Sequence, residues 1–310
     1  MVVSKRNSFT NSVPVLNIMI SGLAMRIGRH LPKPLKRRLR PIFYILNDTE
    51  RYMRYAINKM RADRIVDTND GFNMVIDTSD FVQRRYITDE GKSEESITGV
   101  MREKIRNIDD GDFIDVGANV GFYSLMFCQY NRGTAYSFEP LSYNIQMFEK
   151  NMELNRFNNY KMFEFGLSDH CHSSKIYYHA YNKGAGGEMS GKSGIDLFLE
   201  SEKVKFDTLD NIQLQSNNIS LMKVDVEGYE QDVIKGAEQT IRREMPEILV
   251  EIHPTLLNKR GSSVENFLST MFKIGYDSVY LIESGITLGK SEAMKSVERV
   301  EDNHGLLFTC

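Results

Sequence analysis

The run Phe113-Ile-Asp-Val-Gly-Ala-Asn-Val-Gly121 constrains the chain more than any other stretch. Its first four residues read as a short buried strand, apolar apart from Asp115. Gly117, Asn119 and Gly121 make a turn, and Phe122 to Tyr130 continues at helical spacing. A strand, a glycine turn and a helix N-terminus form the nucleotide-binding corner of a doubly wound α/β sheet. A pyrophosphate site wants G-x-G-x-x-G, so that backbone N–H groups and the helix dipole meet the phosphates. Here the pattern is D-x-G-x-N-x-G, with an acid opening the turn. A carboxylate repels a pyrophosphate but suits a cation, and S-adenosylmethionine carries a sulfonium and an ammonium and no phosphate. The turn therefore favours that methyl donor over NAD. Asp115, Gly117, Asn119 and Gly121 are the first candidate cofactor-binding residues.

From residue 112 onward strands and helices alternate. Asp112–Val116 and Thr134–Phe138 read as strands, then a helix faced by Leu141, Ile145, Phe148 and Met152, then a strand at Lys161–Phe165. Lys175–His179 reads as a further strand. Residues 183–194 hold five glycines and read as a mobile loop, either closing over an acceptor or a surface excursion. Leu221–Val226 and Glu247–Ile252 are two more strands, separated by one helix that stops by Pro246. A helix striped by Val264, Phe267, Leu268, Met271 and Ile274 follows, then short strands near Tyr280 and at Leu306–Phe308. This alternation predicts a mostly parallel doubly wound sheet with an antiparallel edge. The expected division is a basic helical arm over 1–47, pre-core helices and strands over 48–110, and the sheet domain over 111–310. In the pre-core part, Asp48 to Arg61 and Glu94 to Arg106 read as helices and Asn73–Asp77 as a strand.

In an open parallel sheet, ligands bind outside the carboxyl ends of the strands, where the strand order reverses. Glu139 closes the second strand 18 residues after Gly121, near the distance at which an acid accepts ribose hydroxyls. Leu167 and Ser168 follow the third strand, where an adenine edge would lie. Alternation along Lys223-Val-Asp-Val-Glu227 puts Lys223, Asp225 and Glu227 on one face. A simple Lys223–Asp225 pair with Glu227 in solvent would account for them; so would a polar floor beside the donor methyl, because Glu251 and His253 repeat the spacing at the fifth strand. As a set these charged strand ends point to function.

Net charge excludes little, but its distribution is uneven. Residues 1–47 hold nine Lys or Arg and no acid, so with the whole chain at −3 the other 263 residues carry −12. Leu16, Met19, Ile20, Leu23, Ile27 and Leu31 give this arm an apolar stripe. It reads either as a helix lying on an anionic membrane surface or as a solvated or core-docked leader. Val13–Met25 is 13 residues, short of the ~20 needed to cross a bilayer. Cys128, Cys171 and Cys310 are odd in number, with no C-x-x-C, which argues against a disulfide framework or structural zinc and fits a cytoplasmic setting.

Five blocks, Phe-Ile-Asp-Val-Gly-Ala-Asn-Val-Gly (113–121), Phe-Glu-Pro (138–140), Gly-Leu-Ser-Asp (166–169), Lys-Val-Asp-Val-Glu-Gly-Tyr-Glu (223–230) and Pro-Glu-Ile-Leu-Val-Glu-Ile-His (246–253), occur in an order that resembles the FkbM family of methyltransferases. The resemblance spans roughly 110–255. It implies a class I, Rossmann-like fold that uses S-adenosylmethionine, with hydroxyls of sugars, polyketides or other secondary metabolites as acceptors. On that basis Asp225 or His253 is expected to act as general base, with Glu227 and Glu251 orienting a small-molecule or glycan acceptor. In a variant reading Asp225, Glu227 and Glu251 hold Mg²⁺, although no sequence feature demands a metal. A nucleic-acid acceptor is not expected, because no N-P-P-Y or D-P-P-Y tetrad follows the fourth strand. The rival reading is a non-catalytic, membrane-associated scaffold on the same frame. Oligomeric state is left open.

Overall fold

The computed structural model describes residues 63–80, 83, 95–179, 182–187, 199–216, 218–301 and 304–309. The basic arm, the helix expected at 48–61, residues 188–194 of the glycine-rich stretch and Cys310 lie outside them.

The described chain opens with a hairpin, β1 (Arg64–Asp67) and β2 (Asn73–Ile76), and helix α1 (Glu95–Arg106). Alternation then runs through β3 (Asp112–Val116), α2 (Phe122–Tyr130), β4 (Ala135–Phe138), α3 (Ser142–Asn155) and β5 (Tyr160–Phe163). A separate group follows: β6 (Gly166–Leu167), β7 (His172–His179), β8 (Asn182–Gly187) and β9 (Leu199–Asp207). The main pattern resumes with β10 (Ile219–Val224), α4 (Glu230–Gly236), α5 (Glu238–Glu244), β11 (Glu247–Glu251), α6 (Pro254–Lys259) and α7 (Val264–Ile274). The end comprises β12 (Ser278–Leu281), β13 (Ile286–Gly289), α8 (Lys290–Lys295), α9 (Val297–Glu301) and β14 (Gly305–Thr309).

The central sheet has the order β13-β12-β14-β11-β10-β3-β4-β5. Strands β5, β4, β3, β10 and β11 are parallel, and β14 runs antiparallel to both β11 and β12. This is the class I methyltransferase arrangement, a Rossmann-like α/β fold. The chain lays down β3, β4 and β5 in one direction, then returns to place β10 on the other side of β3. The order therefore reverses between β3 and β10, which fixes the ligand crevice at their carboxyl ends.

Both faces of this sheet are covered, so its central strands read as near-continuous apolar runs. Ile114, Met222, Ile248 and Phe308 pack on one face against Val233, Ile241, Phe267 and Met271 of α4, α5 and α7. Phe113, Leu221, Leu249 and Leu307 pack on the other against α1, α2 and α3, where Phe127 stacks on Phe113. The hairpin joins that second layer by a polar device. Asn151 and Asn155, one turn apart on α3, accept the β2 backbone N–H groups of Val75 (2.7 Å) and Asn73 (2.8 Å), which satisfies donors of an otherwise open strand edge.

Four expectations need correction. The glycine-rich stretch is not a loop where it is described, because Asn182–Gly187 pairs antiparallel with β7. Strand β9 has no counterpart in the expected series. Only Val204-Lys205-Phe206 shows inward alternation among its charges, yet it pairs with β7 along its whole length. The single helix ending at Pro246 is two, broken at Ala237. At the far edge β13 adds a third strand to the expected closing pair.

Candidate functional site

The site is built from the carboxyl ends of β3, β4, β10 and β11. Gly117, Asn119 and Gly121 all have positive φ (77°, 51° and 93°), so the backbone folds tightly from β3 into α2. At Gly117 this is obligatory twice over: a Cβ there would stand 1.9 Å from the Asp225 carbonyl oxygen. At Gly121 a Cβ would press on the Phe148 ring at 2.7 Å. The N–H groups of Gly117 and Ala118 are held by the Phe138 carbonyl (2.9 and 3.0 Å), which leaves the turn draped over the end of β4.

Glu139, directly after β4, is buried. Its carboxylate accepts N–H groups from Asn119 (2.9 Å) and Leu141 (3.0 Å) and the side-chain amide of Asn144 (3.2 Å). Burial pushes this carboxyl up to about 7, the hydrogen bonds pull against that, and the nearby Asp115 charge adds to it.

Asp115, Ser137 and Lys223 are register neighbours across β4, β3 and β10. Asp115 is fully enclosed. Its Oδ2 accepts the Ser124 hydroxyl at 2.6 Å, and Ser124 also meets Ser137 at 2.8 Å, while Oδ1 has no partner. Burial raises its pKa; Lys223 opposes the shift.

Lys223 is 2% exposed and stays charged. Burial works against the ammonium, but Asp225 (3.1 Å), Glu251 (3.5 Å) and the charge of Asp115 outweigh it and hold its pKa above the ordinary value. The Tyr123 ring lies under it at 4.9 Å. The expected Lys223–Asp225 pair is thus present, as part of a larger network.

The expected alternation fails beyond it. Strand β10 ends at Val224, and Glu227 and Gly228 both have positive φ (51° and 100°), so Glu227 is turned by a tight bend. It is half-buried and its Oε2 lies 3.7 Å from His253 Nε2. The other ring nitrogen of His253 lies 3.1 Å from Glu230, a fully buried acid that also accepts the Gly228 N–H at 2.9 Å. Burial disfavours the imidazolium, but Glu230, Glu227 and Asp225 override it and lift His253 to about 9. Glu227 is raised by burial and by the neighbouring acids, with His253 opposing. At neutral pH His253 is therefore a held cation.

A cleft of about 80 Å³ opens at the switch point, edged by Gly117, Asn119, Glu139, Leu167, Asp225 and Glu227. A nucleoside-sized ligand calls for roughly 300 Å³ or more, so it must part these walls, and the Asn119–Glu139 bond is one contact across them. Ser168 does not edge the cleft; its N–H is held by Asp207 (2.9 Å) and its hydroxyl faces Asp169 (3.4 Å). Glu251 and His253 stand behind the edge, through Lys223 and Glu227, and Asp115 and Gly121 support the turn from beneath. Sequence reasoning missed Glu230, although it closes the Glu-Gly-Tyr-Glu block, and also Tyr229 and Lys183, which reach the cleft from the residue before α4 and from β8. Glu230 carried a readable signal as an acid opening a helix. Lys183 carried none, because its partners Asp77 (3.6 Å) and Asp80 lie a hundred residues earlier. Among the described residues, no three His, Cys, Asp or Glu side chains converge as a metal site, and no helix is long and apolar enough to cross a membrane.

The Methyltransferase FkbM domain matches residues 115–278. Methyltransferase 1 of Beauveria bassiana is 26% identical over 183 residues, half of this chain and 74% of that one. The FkbM methyltransferase of Methylobacillus flagellatus is 13% identical with a TM-score of 0.41; the match covers 85% of this chain and 59% of that one, less than two thirds of its length. TYW2 of M. jannaschii, solved with AdoMet, is 13% identical with a TM-score of 0.40, over 80% of this chain and 84% of its own.

Proposed function

The chain belongs to the FkbM methyltransferase family, and from that premise we propose that it is an O-methyltransferase using S-adenosylmethionine, with a hydroxyl of a sugar, glycan or secondary metabolite as acceptor. One observation carries this reading: a single cleft at the switch point is edged by Glu139 from the β4 side and by Asp225 and Glu227 from the β10 side. The residues suit the donor. Glu139 would take the ribose hydroxyls, the acid-lined turn suits a sulfonium and an ammonium, and Leu167 gives the base an apolar wall. When bound, the donor supplies an already activated methyl group, so the protein contributes alignment, a dry site and removal of one proton.

Glu227 is the group we assign to that proton. It edges the cleft, and burial has raised its affinity for a proton above that of an ordinary carboxylate. His253 is already protonated and pinned between Glu227 and Glu230, so its task is to hold Glu227, and the expectation of a histidine base gives way to this one. Asp225 and Glu251 are held on either side of the Lys223 ammonium; Asp225, which edges the cleft, orients the acceptor, and Glu251 acts through Lys223 to hold it. Lys223 supplies the cation between them, which supports a metal-free reading over Mg²⁺.

Replacing Glu227 with Gln tests the assignment. Turnover should fall on the order of 10²–10⁴-fold with donor affinity unchanged, measured by calorimetry and by a methyl-transfer assay over hydroxylated acceptors. Unchanged turnover would remove Glu227 from the mechanism. A folded protein that binds no donor would remove the enzyme reading itself, leaving the scaffold.

A further inference from the structure

A second cavity, about 290 Å³, lies away from the glycine turn in the groove between α4 and α7. Its cations are Lys235, Arg260 and Lys273. Arg260 is engaged: it bonds Asp232 at 2.9 Å and its guanidinium lies 3.5 Å from the centre of the Tyr229 ring. Among the described residues neither Lys235 nor Lys273 closes an ion pair; Asp169, which feels the Lys235 charge, is bonded to His170 at 2.6 Å. With Arg260 and Asp232 cancelling, the groove presents two positive charges.

Its floor asks for something different. Gln231 is 4% exposed. The Thr270 hydroxyl donates to the Asn266 carbonyl (3.0 Å), so it can only accept from Gln231, and it takes the Nε2 donor at 3.0 Å. That fixes the amide orientation and leaves Gln231 Oε1 as a buried acceptor without a donor. A buried unpaired polar atom costs on the order of 1–3 kcal/mol, which a ligand hydroxyl would recover.

The two demands select one chemistry. A phosphate monoester carries close to two negative charges at neutral pH and matches the two lysines, whereas a carboxylate matches one. A phosphate dianion offers no proton to Gln231, so the donor must be a hydroxyl on the group that carries it. We propose that the α4–α7 groove binds a phosphorylated polyol, either a free sugar phosphate or the headgroup of an inositol phospholipid. Ser262 and Ser269 line the same groove and offer hydroxyl groups to the ligand.

The test is calorimetry of the full chain with glucose 1-phosphate, glucose and inorganic phosphate, beside flotation with vesicles containing phosphatidylinositol 4-phosphate. The variants are Lys235→Glu with Lys273→Glu, and Gln231→Leu, each checked for an unchanged unfolding temperature. Glucose 1-phosphate should bind about tenfold tighter than glucose or inorganic phosphate, and the charge reversals should weaken it about tenfold or more. Gln231→Leu should erase the preference over inorganic phosphate. If vesicles bind instead and the charge reversals abolish that binding, the source is the lipid headgroup. The proposal is overturned if glucose 1-phosphate does not bind and vesicle flotation is unchanged by the charge reversals, or if glucose 1-phosphate binding survives the charge reversals in a folded variant.

Discussion

Glu139, at the end of β4, and Asp225, Glu227 and Glu251, at the ends of β10 and β11, are all acids on the carboxyl edge of one sheet. They are partnered in different currencies. Glu139 meets only neutral donors, two backbone N–H groups and an amide, and its carboxyl rises to about 7. The β10–β11 acids meet cations, Lys223 and a protonated His253, and there the cation rises, His253 to about 9. A buried charge must be compensated. Neutral donors compensate it in part and leave a group that titrates near neutral pH. Opposite charges leave an ionic frame around Lys223, while at Glu227 burial and the neighbouring acids still outweigh His253, so that carboxyl is raised too. The Glu139 side of the cleft can thus respond to a ligand, while the β10–β11 side is held by its ion pairs.

The sharpest way to break this contrast is to remove the central cation. Lys223→Met leaves Asp115, Asp225 and Glu251 facing one another and should cost about 3–5 kcal/mol in denaturant-induced unfolding. A cost under about 1 kcal/mol would mean that the row is wet and that the frame is not what holds it.

The two sides should also part in pH. Glu139 has its folded pKa raised above the ordinary 4.5, so its contribution is full below that value and is lost as pH climbs through about 7. His253 is raised above 6.5, so its contribution is full below 6.5 and is lost as pH climbs through about 9. Each is worth on the order of 2–3 kcal/mol. Thermal unfolding of the ligand-free protein should show two limbs, the lower one flattened in Glu139→Gln and the upper one in His253→Gln. One shared limb would refute the separation.

Donor binding sharpens the same point more gently. Affinity for S-adenosylmethionine should tighten as pH rises through about 7, where Glu139 ionises to accept hydroxyls. Glu139→Ala should weaken it about 10- to 100-fold and flatten the dependence, while leaving the upper stability limb in place. The smallest effect belongs to Tyr123. Tyr123→Leu removes the ring beneath Lys223 and should cost about 1 kcal/mol, visible in the unfolding midpoint with donor affinity intact.

Much of this arrangement was legible before any coordinates. The strand, turn and helix of 113–130 follow from an apolar run ended by spaced glycines, and the acids at 139, 225, 227 and 251 stand where parallel strands must end. Lys223, on β10, and Asp225, just past its end, are two apart, and their pairing was one of the two readings that spacing offered. The sheet of β6 to β9 was legible only at Lys175–His179, within β7. Its strands are glycine-rich or charged, and what holds them is cross-strand pairing between residues up to forty positions apart.

The sequence by itself determined where the strands end and the glycine turn falls, and so that Glu139, Asp225 and Glu227 stand near the crevice, because periodicity and turn chemistry are local and each segment carries its own. Only the tertiary structure decided what each rim residue is paired with. Glu230 meets His253 across 23 residues, and Lys183 meets Asp80 across 103. Those partners depend on the parallel register of β10 with β11 and on where β8 settles, and no segment encodes either alone. Since compensation sets the charge state of a buried acid, the division into a Glu139 side met by neutral donors and a β10–β11 side met by cations was made by packing.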